Sequence, residues 1–342
     1  MKAYVVRAHG GPEVLQAENL PDPSPGPGEV VVQVKACGLN HLDIWVRRGV
    51  PGHTFPLPLI PGNDVAGVVA ACGAGVRDLA VGAPVVVAPG VSCGLCQACL
   101  SGRDHHCRSY GLLGEHRNGG YAELLCVPRA NVMLKPESLS YAEAAALGVA
   151  FLTAWHMLVA RAELRPGETV LVQAAGSGVG SAAVQIARLW GATVIATAST
   201  EEKLERARAL GAHHVINSQS ADVARTVKGL TGGRGVEVVF EHVGPVTWEQ
   251  SVRALAWQGR LVTCGATTGR EVPLNLRHLF FKSLSLLGST MGSKGEFLEV
   301  LSHAARGTLK PVVDRVLPLA EVHQAHALLE QRKVFGKLVL SP

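Results

Sequence analysis

Aromatic side chains make up only 5% of this 342-residue chain, and charged ones 17%. A nucleic-acid-binding surface usually interleaves aromatics with a Lys/Arg stripe. Here the net charge is +5, and the densest basic cluster, Arg103 to Arg108 with its two histidines, reads as a solvated face. No nucleic-acid partner is expected. Apolar runs are short as well, broken by Gly, Pro or a charge before the ~18 residues that a membrane-spanning helix needs. The first six residues, Met1 to Val6, lack the apolar core and cleavage site of a secretion signal. A cytoplasmic protein with no membrane partner is therefore expected. The 47% hydrophobic content excludes a disordered chain. The 39 Gly and 19 Pro are too few and too aperiodic for a fibrous one. The length suits two domains, each with a core of its own.

No disulfide framework is spread along the chain either. Of eight cysteines, Cys93, Cys96, Cys99 and Cys107 fall within fifteen residues, and Cys37, Cys72, Cys126 and Cys264 stand alone and read as small buried side chains. Close cysteine spacing without secretion signals points to metal before disulfides. Zinc takes four thiolates tetrahedrally, and four protein ligands leave no position for substrate, so such a site is structural. Gly94 and Gly102 permit the tight wrapping. One structural zinc per chain is expected. An iron–sulfur cluster and free thiols are the other readings of this loop, and His105 and His106 are read as spectators.

Residues 1–130 have a β-rich texture with few helical periods. The turn-rich stretch 21–28 runs into a β-branched strand over 29–34, and 65–71 and 83–88 are further short apolar runs bounded by Gly and Pro. This suggests a partly open barrel or sandwich. A helix is predicted over 140–159, with Ser140 as cap and Glu143 three residues on. Strand and helix then alternate: strands at 169–173, 193–197, 215–216, 236–240 and 260–264, helices at 180–190, 201–210, 222–228 and 248–256. Repeated βαβ units predict a doubly wound parallel sheet, so the fold class is α/β. The last fifty residues are predicted to hold one helix, 319–330, and a final strand, 336–340. The apolar segment 283–287 reads as an uncovered edge strand that invites pairing with a second copy.

The predicted strand 169–173 leads through Ala174, Ala175, Gly176, Ser177, Gly178, Val179 and Gly180 into an apolar helix. A strand, a small-residue turn and a helix amino terminus put free N–H groups where a pyrophosphate can sit. An ordinary tight strand–helix turn is the other reading. It loses weight because the loop opens the βαβ series. An acidic residue about 20 positions further on would bind the ribose hydroxyls of NAD and repel a 2′-phosphate. Ser199 stands there, followed by Thr200, with Lys203 in reach. The reading leans to NADP(H) over NAD(H).

Taken together, the run Ala36-Cys37-Gly38-Leu39-Asn40-His41-Leu42-Asp43, the run Pro61-Gly62-Asn63-Asp64-Val65-Ala66-Gly67, the cysteine loop, residues 175–180 and the terminal Gly336-Lys337-Leu338-Val339 resemble the medium-chain dehydrogenase/reductase superfamily, which includes zinc alcohol dehydrogenases and quinone oxidoreductases. The resemblance spans the chain. It implies a GroES-like catalytic domain over 1–150 with its zinc loop at 93–107, a Rossmann domain over 151–288, a return to the first domain over 289–342, and an active site in the cleft between domains. It further implies that His41 contacts cofactor phosphates, that Thr153 lies on the nicotinamide side, and that Gly265 joins the cofactor set. Relatives also pair along the edge strand, so a homodimer or homotetramer is expected.

The departures bear on chemistry. In the zinc alcohol dehydrogenases the catalytic metal is held at positions that match Asn40, Asn63 and Val149 here, and the proton-relaying threonine is replaced by Leu42. Neutral amides bind zinc weakly and valine not at all. Asp64 matches the glutamate beside the metal. The catalytic zinc is therefore expected to be missing, with Asn40 as hydrogen-bond donor to the substrate and Asp43 and Asp64 as supporting polar groups. The implied activity is hydride transfer from a reduced nicotinamide to an activated C=C bond or a quinone of small size. Three alternatives stay open: a zinc alcohol dehydrogenase with an unusual ligand set, a metal regrouped around Cys37, His53 and Asp64, and a nucleotide-binding homologue without turnover.

Overall fold

Valine carries the amino-terminal sheet. In the strand Glu29–Gly38, Val32, Val34 and Ala36 are buried while Gln33 and Lys35 face out, the alternation of a strand with one wet face. This strand is the hub of a seven-stranded sheet in the computed structural model, which describes all 342 residues. The order is Val313–Pro318, Lys337–Ser341, Glu29–Gly38, Asp64–Cys72, Pro84–Val87 and Val132–Leu134, with Leu124–Pro128 also paired to the hub. The register sets Gly38 opposite Asp64 on one side and opposite Val339 on the other. Residues near both chain ends thus meet at the end of one strand. The chain divides into two units, Met1–Val149 with Ser293–Pro342, and Ala150–Gly292, so the return begins at Ser293 rather than 289.

The second unit holds a six-stranded, all-parallel sheet in the order His214–Asn217, Thr193–Ala198, Thr169–Val172, Val236–Glu241, Leu255–Thr263 and Ser285–Gly288. The chain enters at Thr169–Val172, winds one way and then the other. The reversal leaves a crevice at the carboxyl end of that strand, where ligands bind in such sheets. The GroES-like and Rossmann-like halves make the expected α/β class. No helix is long and apolar enough to cross a membrane.

Several local expectations are corrected. The helix predicted over 140–159 is broken. Ser140 and Glu143 do form their reciprocal cap, but Tyr141–Ala144 is one turn, Gly148–Trp155 starts afresh, and His156–Arg161 widens to a π-helix. The cause is non-local: Asp64 Oδ1 accepts the Val149 N–H at 2.6 Å, capping a new amino terminus. The helix expected over 248–256 runs Pro245–Ala254 and gives way at once to the strand Leu255–Thr263, which starts earlier than 260. The stretch 319–330 is a 3-10 turn, Leu319–Glu321, followed by the helix Val322–Glu330. The carboxyl-terminal fifty residues also hold Lys294–Ala305, whose Ser293/Glu296 capping box repeats the Ser140/Glu143 signature. Helix His41–Arg48 interrupts the β-rich region. Of the isolated cysteines only Cys37 is buried; Cys72, Cys126 and Cys264 are half-buried.

A second polar cluster ties the first unit together. Arg47, fully buried, reaches Glu330 at 2.5 Å and His326 Nδ1 at 3.1 Å, and the Tyr121 hydroxyl meets His326 Nε2 at 3.1 Å. Burial, with the Arg47 charge beside it, pushes His326 down to about 3. The folded state therefore holds this ring neutral where an unfolded histidine, near 6.5, takes a proton. Stability contributed here is full above pH 6.5 and falls as pH drops towards 3. Between pH 7 and pH 5 the wild type is expected to lose about 2 kcal/mol more unfolding free energy than His326→Gln, a difference that urea unfolding at the two pH values measures.

Candidate active site

The strand end at Gly38 leads through Asn40 into helix His41–Arg48, and its neighbour begins at Asp64. Between them stands Lys337, the first residue of the last strand and 4% exposed. Its Nζ donates to Asn40 Oδ1 at 2.6 Å and to Asp64 Oδ2 at 2.9 Å, and Asn40 Nδ2 donates to Asp64 Oδ2 at 3.0 Å. Asp64 Oδ1 takes the Val149 N–H. Gly148 permits this approach, since a Cβ there would lie 2.2 Å from Asp64 Oδ1. Asp43 accepts the N–H groups of Asn40 at 2.7 Å and Gly62 at 3.0 Å. Burial raises its carboxyl to about 7, against the pull of the Asn40 N–H, Lys337 and the Gly62 N–H. Asn63 is buried, its amide nitrogen donating to the Leu113 carbonyl and its Oδ1 unpaired. His41, half-buried, opens the helix.

The four clustered cysteines converge. Their sulfurs lie 3.5 Å apart for Cys96–Cys99 and Cys93–Cys107, and 3.9 Å for Cys93–Cys99. The N–H groups of Leu95 and Cys96 pull the Cys93 thiol down to about 6. Asp104, inside the loop, is bound by the Lys294 N–H at 3.0 Å and the Lys294 ammonium at 2.8 Å.

In the second unit, Ser177 caps helix Gly178–Leu189 by accepting the Gly180 N–H at 2.9 Å. A Cβ on Gly180 would lie 2.4 Å from the Ala174 carbonyl, so this glycine lets helix and strand close up. Ala175 is buried, while Gly176, Gly178 and Val179 line the turn and the first helical residues at the carboxyl end of Thr169–Val172. A chain of bonds unread in the sequence holds the loop. Ala174 N–H donates to Thr197 Oγ1, Thr197 Oγ1 to Gln173 Oε1, Gln173 Nε2 to Ser251 Oγ, and Ser251 Oγ to Glu241. Glu241 also accepts the Val243 and Gly244 N–H groups and the Thr247 hydroxyl. His242 Nε2 lies 3.0 Å from the Gln173 carbonyl and 3.4 Å from Ser177 Oγ. Ser199 is exposed after the second strand, Thr200 caps the next helix by accepting the Lys203 N–H, and Gly265 packs on the His242 carbonyl. Thr153 is buried, its hydroxyl 3.7 Å from the Met291 sulfur.

Sequence models of two families match: "Zinc-binding dehydrogenase" over residues 178–306 and "Alcohol dehydrogenase GroES-like domain" over 26–137. An NAD-dependent alcohol dehydrogenase of Sulfolobus acidocaldarius is 34% identical, covering 99% of both chains. The chain belongs to the medium-chain dehydrogenase/reductase superfamily. A quinone oxidoreductase of Homo sapiens is 31% identical over 99% of this chain and 97% of its own. A solved structure described as an NAD-dependent alcohol dehydrogenase superposes with a TM-score of 0.97 at 51% identity, covering both chains fully. The protein is an oxidoreductase of this superfamily.

Within that superfamily the two metal positions differ sharply in this chain. A tetrahedral ion with bonds of about 2.3 Å needs sulfurs about 3.8 Å apart, and the cysteine loop fits that spacing. The catalytic position does not fit a metal. Asn40 Oδ1 already faces an ammonium, Val149 has no side-chain donor, and Asn63 offers a single neutral amide oxygen. Lys337 places a positive charge where a cation would have to approach. The regrouping of Cys37, His53 and Asp64 is not formed either. His53 lies instead in a cluster with Glu115 and His116, at 3.4 and 3.6 Å. His116 Nδ1 also accepts the Leu112 N–H at 3.2 Å. Lys337 is the residue that sequence reasoning passed over. Its signal was a lysine opening a buried apolar strand, where lysines are rare unless paired.

Proposed function

We propose that the protein transfers a hydride from a reduced nicotinamide dinucleotide to an activated C=C bond or a quinone, with zinc confined to the loop of Cys93, Cys96, Cys99 and Cys107. The donor set at Asn40, Asn63 and Val149, with Lys337 among its oxygens, is the observation that supports it. Oxidising a simple alcohol requires removing a proton from a very weak acid. Bound zinc achieves this by lowering an oxygen ligand's pKa from about 15.7 towards about 7. This chain has Leu42 where a relaying hydroxyl would stand. Reducing an enone asks less of the protein. A bound reduced nicotinamide supplies the hydride, which adds at the β-carbon while the π electrons move to the carbonyl oxygen. Asn40 Nδ2–H then steadies that oxygen, and the α-carbon takes its proton from water. A quinone gains the hydride and a solvent proton in the same way.

The loop 174–180 supplies helix N–H groups for the pyrophosphate. Ser199, in place of an acid, leaves room for a 2′-phosphate, so NADP(H) is accepted at least as well as NAD(H). The names of the relatives favour NAD, and that outcome is part of the test. Ser285–Gly288 is an edge of the parallel sheet, and Leu276, Phe280 and Phe281 of the preceding helix are exposed. A second copy paired along this edge makes a homodimer.

Purified protein is expected to oxidise NAD(P)H with quinones and enones, to ignore simple alcohols, and to carry one zinc per chain by native mass spectrometry. Asn40→Leu should lower kcat by about 10²-fold with dinucleotide affinity unchanged. Chelator-sensitive alcohol oxidation with two zincs per chain, or dinucleotide binding without turnover on either acceptor, overturns the reading. Ser199→Asp is expected to shift the kcat/KM ratio at least about tenfold towards NADH; a wild type that already rejects NADPH refutes the cofactor assignment. Sedimentation should give twice the chain mass or a multiple of it, and Phe280→Asp with Leu287→Pro should give the monomer. A monomeric wild type removes the interface.

A further inference from the structure

Most asparagine side chains can turn over and exchange oxygen for nitrogen at little cost. Asn40 cannot. Its Oδ1 faces an ammonium, which only donates, and its Nδ2 faces a carboxylate, which only accepts. Turned over, the amide would set NH2 against NH3⁺ and C=O against COO⁻. The two groups that impose this are themselves held. Asp64 is 1% exposed and pinned by the Val149 N–H on its other oxygen, and Lys337 is 4% exposed at the start of a strand flanked on both sides. Asn40 alone of the three is half-buried. One of its two amide N–H bonds goes to Asp64, so the other is the donor left for a ligand. An ammonium on Oδ1 also polarises the amide and strengthens that second N–H as a donor.

We propose that Lys337 is a positioning residue of this site: through Asn40 Oδ1 it orients and polarises the Asn40 amide so that its outward N–H meets the oxyanion formed on hydride addition. This rests on the reductase reading above. The positive charge that a metal would have brought to the substrate oxygen is here carried by an ammonium one residue behind it. The device matters most when the oxyanion is localised, as in the enolate of a simple enone, and least when it is spread over a ring, as in a quinone.

The test compares Lys337→Met, Lys337→Arg and Asn40→Leu on one enone and one quinone, with dinucleotide affinity from nicotinamide fluorescence and Tm alongside. Lys337→Met should lower kcat for the enone at least tenfold more than for the quinone, leave dinucleotide Kd within twofold, and add little to the loss in Asn40→Leu. Lys337→Arg should recover part of the enone rate. An equal loss on both acceptors, whatever the Tm, marks a merely structural lysine. A raised dinucleotide Kd with unchanged kcat at saturation marks a cofactor-phosphate anchor. Either result overturns the proposal. Should Lys337→Met fail to fold, Asp64→Asn, isosteric and unable to hold Asn40 by a charge, must show the same enone-selective loss, and its absence counts against the inference. If Asn40→Leu impairs turnover and Lys337→Met does not, this inference alone falls. If Asn40→Leu is without effect on both acceptors, the reductase reading falls with it.

Discussion

A buried carboxylate has to be answered, and the way Asp64 is answered organises the first unit. Its two oxygens collect a backbone N–H from Val149, an amide N–H from Asn40 and the ammonium of Lys337. Each donor comes from a different stretch of chain: the first turn of helix Gly148–Trp155, the cap of helix His41–Arg48, and the start of the last strand. Leaving out the ammonium would strand charge in a low-dielectric interior, at a cost of several kcal/mol. The same requirement explains the broken helix after Ala144, the glycine at 148, and the placement of a lysine in an otherwise apolar strand. Local propensity yields at all three places to one long-range electrostatic constraint.

The parts of the molecule that could be read from sequence are those whose physics is local. Cys93, Cys96, Cys99 and Cys107 lie within one loop, and the convergence of their four sulfurs follows from spacing alone. Ser140 with Glu143 announced a helix start, and the alternation from 169 onward gave the parallel sheet because each βαβ unit has its own hydrophobic period. The same signature at Ser293 and Glu296 was there to be read and marks Lys294–Ala305. Asn40 and Asp64 were legible as replacements only through the resemblance. Lys337 was legible as a lysine opening an apolar strand but not as the partner of Asn40 and Asp64, because nothing near it in sequence tells that the hub strand brings Gly38 between Asp64 and Val339. Arg47 with His326, and Gln173 with Ser251 and Glu241, escaped for the same reason.

The two units handle charge by opposite means. The nucleotide loop is held by a chain of neutral donors that ends on Glu241, whose carboxylate is met by N–H groups and hydroxyls rather than by a cation. On the proposed reading, that arrangement leaves the N–H groups of Gly178 and Val179 at the helix amino terminus as the local positive potential for an incoming phosphate. In the Asn40 site the carboxylate of Asp64 is instead met by a full ammonium together with an amide. On the proposed reading the contrast has a use: a dinucleotide phosphate arrives fully charged, whereas the substrate's oxyanion exists only as the hydride lands, and a donor polarised in advance meets it without reorganisation.

The separation of Asp64 from Lys337, 273 residues along the chain, carries a consequence for biogenesis. At ribosomal speeds of about 5–20 residues per second, the carboxylate is made roughly 14–55 s before its counter-ion. For most of that interval Asn40 and Val149 are available to the carboxylate but its ammonium is not.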